Sequence, residues 1–100
     1  MDKYEVYLSP KAYQDLDEIY EYICKNLLAD EAADRTLSAI EHAILSLDYM
    51  PYRGAERRVG NYANKGYRQF FVNNYIVVYR IEEESKSVII VTVKYYRKNF

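Results

Sequence analysis

The stretch YRQFFVNNYIVVYRI, residues 67–81, contains two runs of aromatic and β-branched residues separated by Asn73-Asn74. Residues of these types favour strands, and asparagine tolerates the positive φ that a two-residue hairpin turn requires. The stretch therefore predicts a strand over 67–72, a tight turn, and an antiparallel partner over 75–82. This hairpin is the centre of the predicted sheet.

Two further strands are predicted, one on each side of the hairpin in the sequence. Residues 83–86 form a polar turn, and the run 87–95 is rich in Val and Ile on both faces, which predicts a central strand covered on both sides. Near the amino end, residues 4–8 alternate loosely between polar and apolar side chains, which predicts a short first strand. The predicted sheet has four strands and is mainly antiparallel.

Two helices are predicted between the first strand and the hairpin. Ser9 can cap the first helix, with Pro10 at its first position, and Asp30 can cap the second. Apolar residues recur at steps of three and four, as in two helices packed against each other: Ala12, Leu16, Ile19, Tyr20, Ile23 and Leu27, then Ala33, Leu37, Ile40, Ile44 and Leu47. Met50-Pro51 ends this helical hairpin. The predicted fold class is α+β with the order β-α-α-β-β-β, and residues 1–100 form one domain.

Composition restricts the class of protein. One hundred residues suffice for one hydrophobic core but not for two. The longest apolar run, residues 87–93, is far shorter than the roughly 20 residues that cross a bilayer, and residues 1–5 hold no apolar signal core. We therefore expect a cytoplasmic protein without membrane association. The single cysteine, Cys24, and the single histidine indicate no disulfide and no metal site, and no cofactor is expected.

Charge is divided between the two halves of the chain. Residues 1–50 carry 4 Lys/Arg and 11 Asp/Glu, net −7, and residues 51–100 carry 10 and 4, net +6. Such asymmetry points to a nucleic-acid face or to a charged partner that lies against one side. The overall pI of about 5.8 is below that of a dedicated nucleic-acid binder. Several of the cations fall in a predicted loop over residues 52–66, which is long enough to suggest a function.

Three segments, in this order along the chain, carry a resemblance to a known family. They are Leu8-Ser9-Pro10-Lys11-Ala12 with Asp15-Leu16 after it, the hairpin 67–81, and Tyr95-Tyr96-Arg97-Lys98-Asn99-Phe100. They resemble the opening strand and helix, the central hairpin and the closing segment of the RelE/ParE superfamily of type II toxins, which includes plasmid stabilisation proteins. The resemblance covers essentially the whole chain and implies a toxin that a cognate antitoxin protein neutralises. One branch of the superfamily cleaves mRNA on the ribosome, and the other inhibits DNA gyrase.

The resemblance leaves open which of these two activities the chain has. RNA cleavage by attack of a 2′-hydroxyl on the adjacent phosphate needs a base for that hydroxyl, an acid for the leaving oxygen, and a cation for the charge that develops on the phosphate. In the cleaving branch an arginine typically follows the hairpin turn; Ile76 is aligned with it here, and an aliphatic side chain cannot bind a phosphate. We therefore favour gyrase inhibition, with a degenerate, inactive toxin as a further alternative. If the chain is a metal-independent endoribonuclease, the candidate catalytic residues are Arg68, Arg97, Lys98 and Tyr95.

Contacts with the target or with nucleic acid are expected from the carboxyl-terminal half. The candidates are Arg57, Arg58 and Lys65 in the predicted loop, and Arg97 and Lys98 after the last strand. Each also has a simpler interpretation as a solvated surface charge. The acidic helices would repel nucleic acid. Their tyrosines are candidates for an antitoxin groove, although packing is the more common role of such residues: Tyr13, Tyr20 and Tyr22.

Overall fold

The helices and strands follow one another in the predicted order, with one addition. The structure is a computed structural model that describes residues 3–96. Its elements are β1 (Glu5–Leu8), α1 (Pro10–Asn26), α2 (Asp30–Leu45), the 3₁₀ turns Ser46–Asp48 and Pro51–Arg53, β2 (Ala55–Glu56), β3 (Arg68–Val72), β4 (Tyr75–Glu82) and β5 (Ser87–Tyr95). The addition is β2, which lies inside the segment predicted to be a loop.

All of these strands belong to one sheet, in the order β1-β5-β4-β3-β2. β1 is parallel to β5, and the other neighbours are antiparallel. The predicted α+β class, a helical hairpin on a mainly antiparallel sheet, is therefore confirmed, but within residues 3–96 the sheet has five strands rather than the four predicted. The sequence did not predict β2, because its two residues are too few to show a periodic pattern and because alanine and glutamate are depleted in strands. Only pairing with Arg68 and Gln69 of β3 makes β2 a strand.

The start of α1 follows the sequence prediction, and the start of α2 does not. Ser9 Oγ accepts a hydrogen bond from the backbone N–H of Ala12 at 3.0 Å and caps α1. Asp30, predicted to be a cap, is instead the first residue of α2 and follows Ala29 at the cap position. Leu28, with a φ of 50°, makes the connection tight. The carboxylate of Asp30 therefore lies in the first turn, where the helix dipole favours negative charge.

One face of the sheet carries the core, and the two helices pack against it. The buried apolar cluster contains Tyr4, Ala12, Leu16, Ile40, Ile44, Leu47, Val77, Tyr79, Val88, Ile90 and Val93. Successive residues of a strand point to opposite faces, so Val77 and Tyr79 point to the helices while Ile76 and Val78 point the other way. We call this other side the open face. Ile76 and Val78 are buried as well, so β4 is covered on both faces.

Candidate functional site on the open face of the sheet

The segment that joins the helices to β3 is folded onto the edge of the sheet. We call residues 52–66 the basic loop. The backbone N–H of Arg57 donates to the carbonyl of Tyr67 at 2.9 Å, and that of Asn64 donates to the carbonyl of Arg57 at 2.8 Å. Four residues with positive φ make the tight turns: Gly60, Tyr62, Asn64 and Gly66. These contacts hold the backbone of the basic loop against the end of β3.

Arg57 points into the protein. It is only 5% exposed; its Nε donates to the carbonyl of Asn61, and its Nη1 donates to Gln69 Oε1 at 2.9 Å. Burial lowers the pKa of the guanidinium by removing water from it, yet an arginine keeps its charge under ordinary conditions. The side chain therefore braces the loop against β3. A contact between Arg57 and a target, which the sequence suggested, would require it to leave these acceptors.

Arg68, the first residue of β3, holds the start of the basic loop. Its Nη1 donates to the carbonyls of Tyr52 at 3.1 Å and Gly54 at 2.6 Å. The guanidinium carbon also lies 5.2 Å from the centre of the Tyr52 ring, a distance at which cation and ring attract each other. The partners of Arg68 are thus backbone oxygens of the protein itself.

The turn just before and inside the basic loop is tied down by three more side chains. The buried hydroxyl of Tyr79 donates to the carbonyl of Pro51 at 2.6 Å. The hydroxyl of Tyr52 donates to Glu83 at 3.1 Å, in the turn between β4 and β5. Arg53 donates to the carbonyl of Tyr49 at 3.0 Å. The start of the basic loop is therefore bonded to β4, to the turn between β4 and β5, and to the 3₁₀ turn that precedes it.

Arg58 and Lys65 of the basic loop face solvent, as does Arg53 near its start. The guanidinium of Arg58 pairs with Glu56 at 3.2 Å. An exposed pair of this kind contributes little to stability, because water solvates both charges nearly as well. Arg58 can therefore exchange Glu56 for a carboxylate or phosphate of a partner at small cost.

The two candidate catalytic residues within residues 3–96, Arg68 and Tyr95, lie apart. Arg68 lies opposite Tyr79 of β4, whereas Tyr95 lies opposite Tyr75. Four residues of a strand span about 13 Å, and the two side chains also belong to strands on opposite sides of β4. The Tyr95 ring packs against Tyr75, with centroids 5.6 Å apart. Arg97 and Lys98, the other candidates, lie outside the described residues.

A cleft of about 310 Å³ lies between the basic loop and the open face. It is lined by Glu56, Arg57, Arg58, Val59, Gln69, Phe71, Ile76 and Tyr96. Ile76, aligned by resemblance with the phosphate-binding arginine of the cleaving branch, is 5% exposed and belongs to this lining. Sequence reasoning missed Phe71 and Gln69, although alternation along β3 places them on the same face and could have revealed them. It also missed Val59.

A second groove lies on the helix side, between α1, the start of α2 and the β3–β4 turn. Its volume is about 670 Å³, and its apolar lining includes Ile19, Tyr22, Ile23, Leu27, Val93 and Tyr95. Tyr13 and Tyr20 line a different groove, which lies between α1 and α2 beside Leu8 of β1. The three helical tyrosines, which the sequence grouped together, are therefore divided between two surfaces.

Asp15 lies buried at one end of the helix-side groove and joins α1 to β5. Its carboxylate accepts hydrogen bonds from the hydroxyl of Thr92, from the backbone N–H of Val93 at 3.0 Å, and from the ammonium groups of Lys94 at 3.1 Å and Lys11 at 3.3 Å. Burial by itself raises the pKa of Asp15, but the hydrogen bonds outweigh burial and leave the pKa below its ordinary value. The group is therefore a charged structural link.

Two classes of site are missing from the described part of the chain. Among residues 3–96, no group of three or more His, Cys, Asp or Glu side chains is placed to hold a metal ion. No helix within the same residues is both long and apolar enough to cross a membrane.

Three solved structures are similar to the chain over nearly its whole length. One is from the chromosomal ParDE system of P. aeruginosa, with 21% identity, a TM-score of 0.76, and coverage of 93% of this chain and 96% of that chain. Another is the RelBE2 toxin–antitoxin complex of Mycobacterium tuberculosis, with 25% identity, a TM-score of 0.68, and coverage of 95% of this chain and 93% of that chain. A third is the archaeal RelE–RelB complex of Pyrococcus horikoshii OT3, with 12% identity, a TM-score of 0.64, and coverage of 96% of this chain and 98% of that chain. The fold is that of the RelE/ParE toxins.

The sequence narrows this class further. Residues 6–100 match the model of the family described as the ParE toxin of the type II toxin–antitoxin system parDE. Since the match spans almost the entire chain, the protein belongs to the ParE toxin family and is a toxin of a type II toxin–antitoxin system. Comparison with curated proteins gives no significant match.

Proposed function

We propose that this toxin arrests growth by binding bacterial DNA gyrase and that it is not an enzyme. The observation that carries the proposal is the lining of the open-face cleft, where Ile76 occupies the position expected of a phosphate-binding arginine. Of the two arginines that line the cleft, Arg57 is bonded to oxygen atoms of Asn61 and Gln69, and the exposed Arg58 is paired with Glu56. Stabilising a phosphoryl transition state requires cations aimed at the reacting group, whereas binding a protein does not.

The proposal gives the basic residues two different roles. Arg58 and Lys65, which are exposed, would contact the target together with Arg97 and Lys98 of the carboxyl-terminal segment. Arg57 would act by holding the loop that presents them. Because gyrase and newly synthesised antitoxin are both intracellular, the proposal also places the protein in the cytoplasm.

Two assays performed on one preparation of purified protein separate binding from cleavage. We expect the protein to inhibit supercoiling of relaxed plasmid by gyrase, and we expect no new cuts in mRNA in a translation-coupled primer-extension assay. A catalytic toxin would give the reverse pattern, with ribosome-dependent cuts and undisturbed supercoiling. That reverse pattern would refute the proposal.

The alternative is a ribosome-dependent, metal-independent mRNA endoribonuclease. The similarity to the RelBE2 complex at 25% identity favours it, and its catalytic residues would be Arg68, Tyr95, Arg97 and Lys98. For this enzyme, replacing both Arg97 and Lys98 with alanine would abolish the mRNA cuts. A degenerate toxin would produce neither cuts nor gyrase inhibition, and its expression in a sensitive host would not slow growth.

We infer that the cognate antitoxin binds the helix-side groove. Two of the similar structures are toxin–antitoxin complexes, which supports a protein partner for this chain. The groove has about twice the volume of the open-face cleft and is lined mainly by apolar side chains. Grooves of this kind commonly accept the apolar face of an amphipathic helix.

Truncation of Tyr22 tests this assignment. Tyr22 lines the groove and is largely exposed, so Tyr22→Ala leaves the fold intact but removes an aromatic anchor. Loss of such an anchor commonly weakens binding by about 30-fold. We expect that loss in calorimetric titrations with the antitoxin encoded next to the toxin gene. Tyr13→Ala, at a similarly exposed tyrosine outside this groove, is the control; equal affinities of the two variants would contradict the assignment.

A further inference from the structure

The open-face cleft has apolar walls, and the pairing of charges with a target does not explain them. Val59 of the basic loop, Phe71 of β3 and Tyr96 all line it, and Val59 and Phe71 are exposed to solvent. The rings of Phe71 and Tyr96 meet edge to face, with centroids 5.9 Å apart and an interplanar angle of 87°. This contact fixes the orientation of the Phe71 ring at the mouth of the cleft.

Exposed apolar groups in a concave site are a source of binding free energy, because a partner that covers them releases the water around them. The cleft, at about 310 Å³, lies at the lower end of the roughly 300–1,000 Å³ found for ligand sites. It has room for one large side chain or one base. An aromatic anchor seated in such a pocket is the typical centre of a protein interface.

The charges around the cleft restrict what can enter it. The charged residues of its lining are Glu56, Arg57 and Arg58, net +1, and the whole basic loop, residues 52–66, is net +3. A partner should therefore be acidic near the point of contact. A nucleic acid would bring a continuous row of phosphates past Glu56, which repels them. An acidic protein segment can instead place its carboxylates at the exposed cations and keep them away from Glu56.

We propose that the cleft receives one aromatic or large aliphatic side chain from an acidic segment of the gyrase target, while Arg58 and Lys65 pair with carboxylates that flank it. This inference rests on the proposed function, since it takes the target to be a protein. Arg57 and Gln69, bonded to each other at 2.9 Å, form a rigid wall of the cleft. The site is thus formed before the target binds.

Phe71→Ala tests the anchor. Phe71 is 57% exposed, so its truncation removes a cleft wall without opening the core. We expect affinity for purified, immobilised gyrase to fall at least about tenfold, as for loss of an interface anchor. Tyr13→Ala, at a residue 61% exposed on α1, should bind like the unaltered protein. Far-UV circular dichroism of both variants establishes that they are folded.

Arg58→Glu tests the flanking charge. Its matched control is Arg35→Glu, because the Arg35 side chain is 73% exposed and that of Arg58 is 72% exposed, and each pairs with a glutamate. We expect Arg58→Glu to slow association with gyrase and to reduce its dependence on salt concentration. Arg35→Glu lies on the acidic helical side and should not weaken binding.

The outcomes separate this inference from the function on which it rests. If the unaltered protein does not bind gyrase, the proposed function fails and the inference fails with it. If the unaltered protein binds gyrase and Phe71→Ala binds equally well, only the inference fails. A single-stranded oligonucleotide that binds the unaltered protein but not Phe71→Ala would show a nucleic-acid occupant and would also overturn the inference.

Discussion

Replacing Asp15 with alanine is expected to lower the free energy of unfolding by about 1–3 kcal/mol, the cost of leaving a buried donor without its acceptor. The Asp15 carboxylate is the acceptor for the Thr92 hydroxyl, the Val93 amide and the Lys94 ammonium. In the variant, water can solvate the Lys94 ammonium, whose side chain is 25% exposed, but the Val93 N–H loses its acceptor at a buried position. A donor left unpaired in such a place costs more than the hydrogen bond itself contributes.

Urea unfolding followed by circular dichroism measures this loss as a shift in the midpoint. Asp17→Ala is the control, because Asp17 is an exposed aspartate on the same helix, and surface substitutions usually change stability by less than about 0.5 kcal/mol. If the two variants were equally stable, Asp15 would not be the link between α1 and β5 that its contacts suggest.

The same residue should make stability depend on pH. Because the pKa of Asp15 in the folded protein is lower than in the unfolded chain, ionised Asp15 stabilises the fold. Its contribution is fully present above the unfolded pKa of about 3.9 and is lost as the pH falls through the lower, folded value. Asp15→Ala should therefore lose less stability than the unaltered protein between neutral and strongly acidic pH. A parallel loss in both proteins would exclude this role.

Replacing Gly54 with alanine is expected to destabilise the fold by about 1–3 kcal/mol, as for overpacking in a core. A Cβ at this position would overlap the hydroxyl of Tyr79 and lie 2.9 Å from the carbonyl oxygen of Gln69. The Gly54 carbonyl also accepts from Arg68, so any displacement of Gly54 disturbs the start of the basic loop. Thermal unfolding measures the loss. A melting temperature equal to that of the unaltered protein would contradict the close approach.

A double-mutant cycle isolates the cause of this loss. Tyr79→Phe alone removes the hydrogen bond to the buried carbonyl of Pro51 and should cost about 1–3 kcal/mol. It also removes the atom that the new methyl group of Gly54→Ala overlaps. The double variant should therefore be more stable than the sum of the two losses predicts. Strict additivity would show that the two residues do not collide.

The central hairpin could be predicted because its local and tertiary preferences agree. β-branched and aromatic runs predicted β4 and the following β5 with the bounds that the structure has and β3 to within one residue, and Asn73 takes the positive φ expected of the turn. β2 could not be predicted, because its two residues form a strand only through their neighbour in the sheet. The start of α2 was misplaced by one residue, because the left-handed Leu28 that sets it has no sequence signal.

The site was less predictable than the fold. Arg57 and Arg58 are adjacent and chemically identical, yet one is buried against Gln69 and the other is exposed. Their different positions follow from their contacts, because the Arg57 side chain bonds to Asn61 and Gln69 whereas Arg58 pairs with the exposed Glu56. Sequence reasoning could therefore name the basic loop but could not say which of its arginines a partner can reach. It could place Ile76 directly after the hairpin turn, because the sequence of the hairpin alone determines that position.

The measurement that bears most directly on the central claim, a toxin that binds gyrase and does not cleave RNA, is a titration of the purified protein into a gyrase supercoiling reaction. We expect the supercoiled product to disappear as the toxin concentration rises, and we expect Arg58→Glu to require more protein for the same effect than Arg35→Glu. Full supercoiling at a large molar excess of the folded protein would contradict the claim.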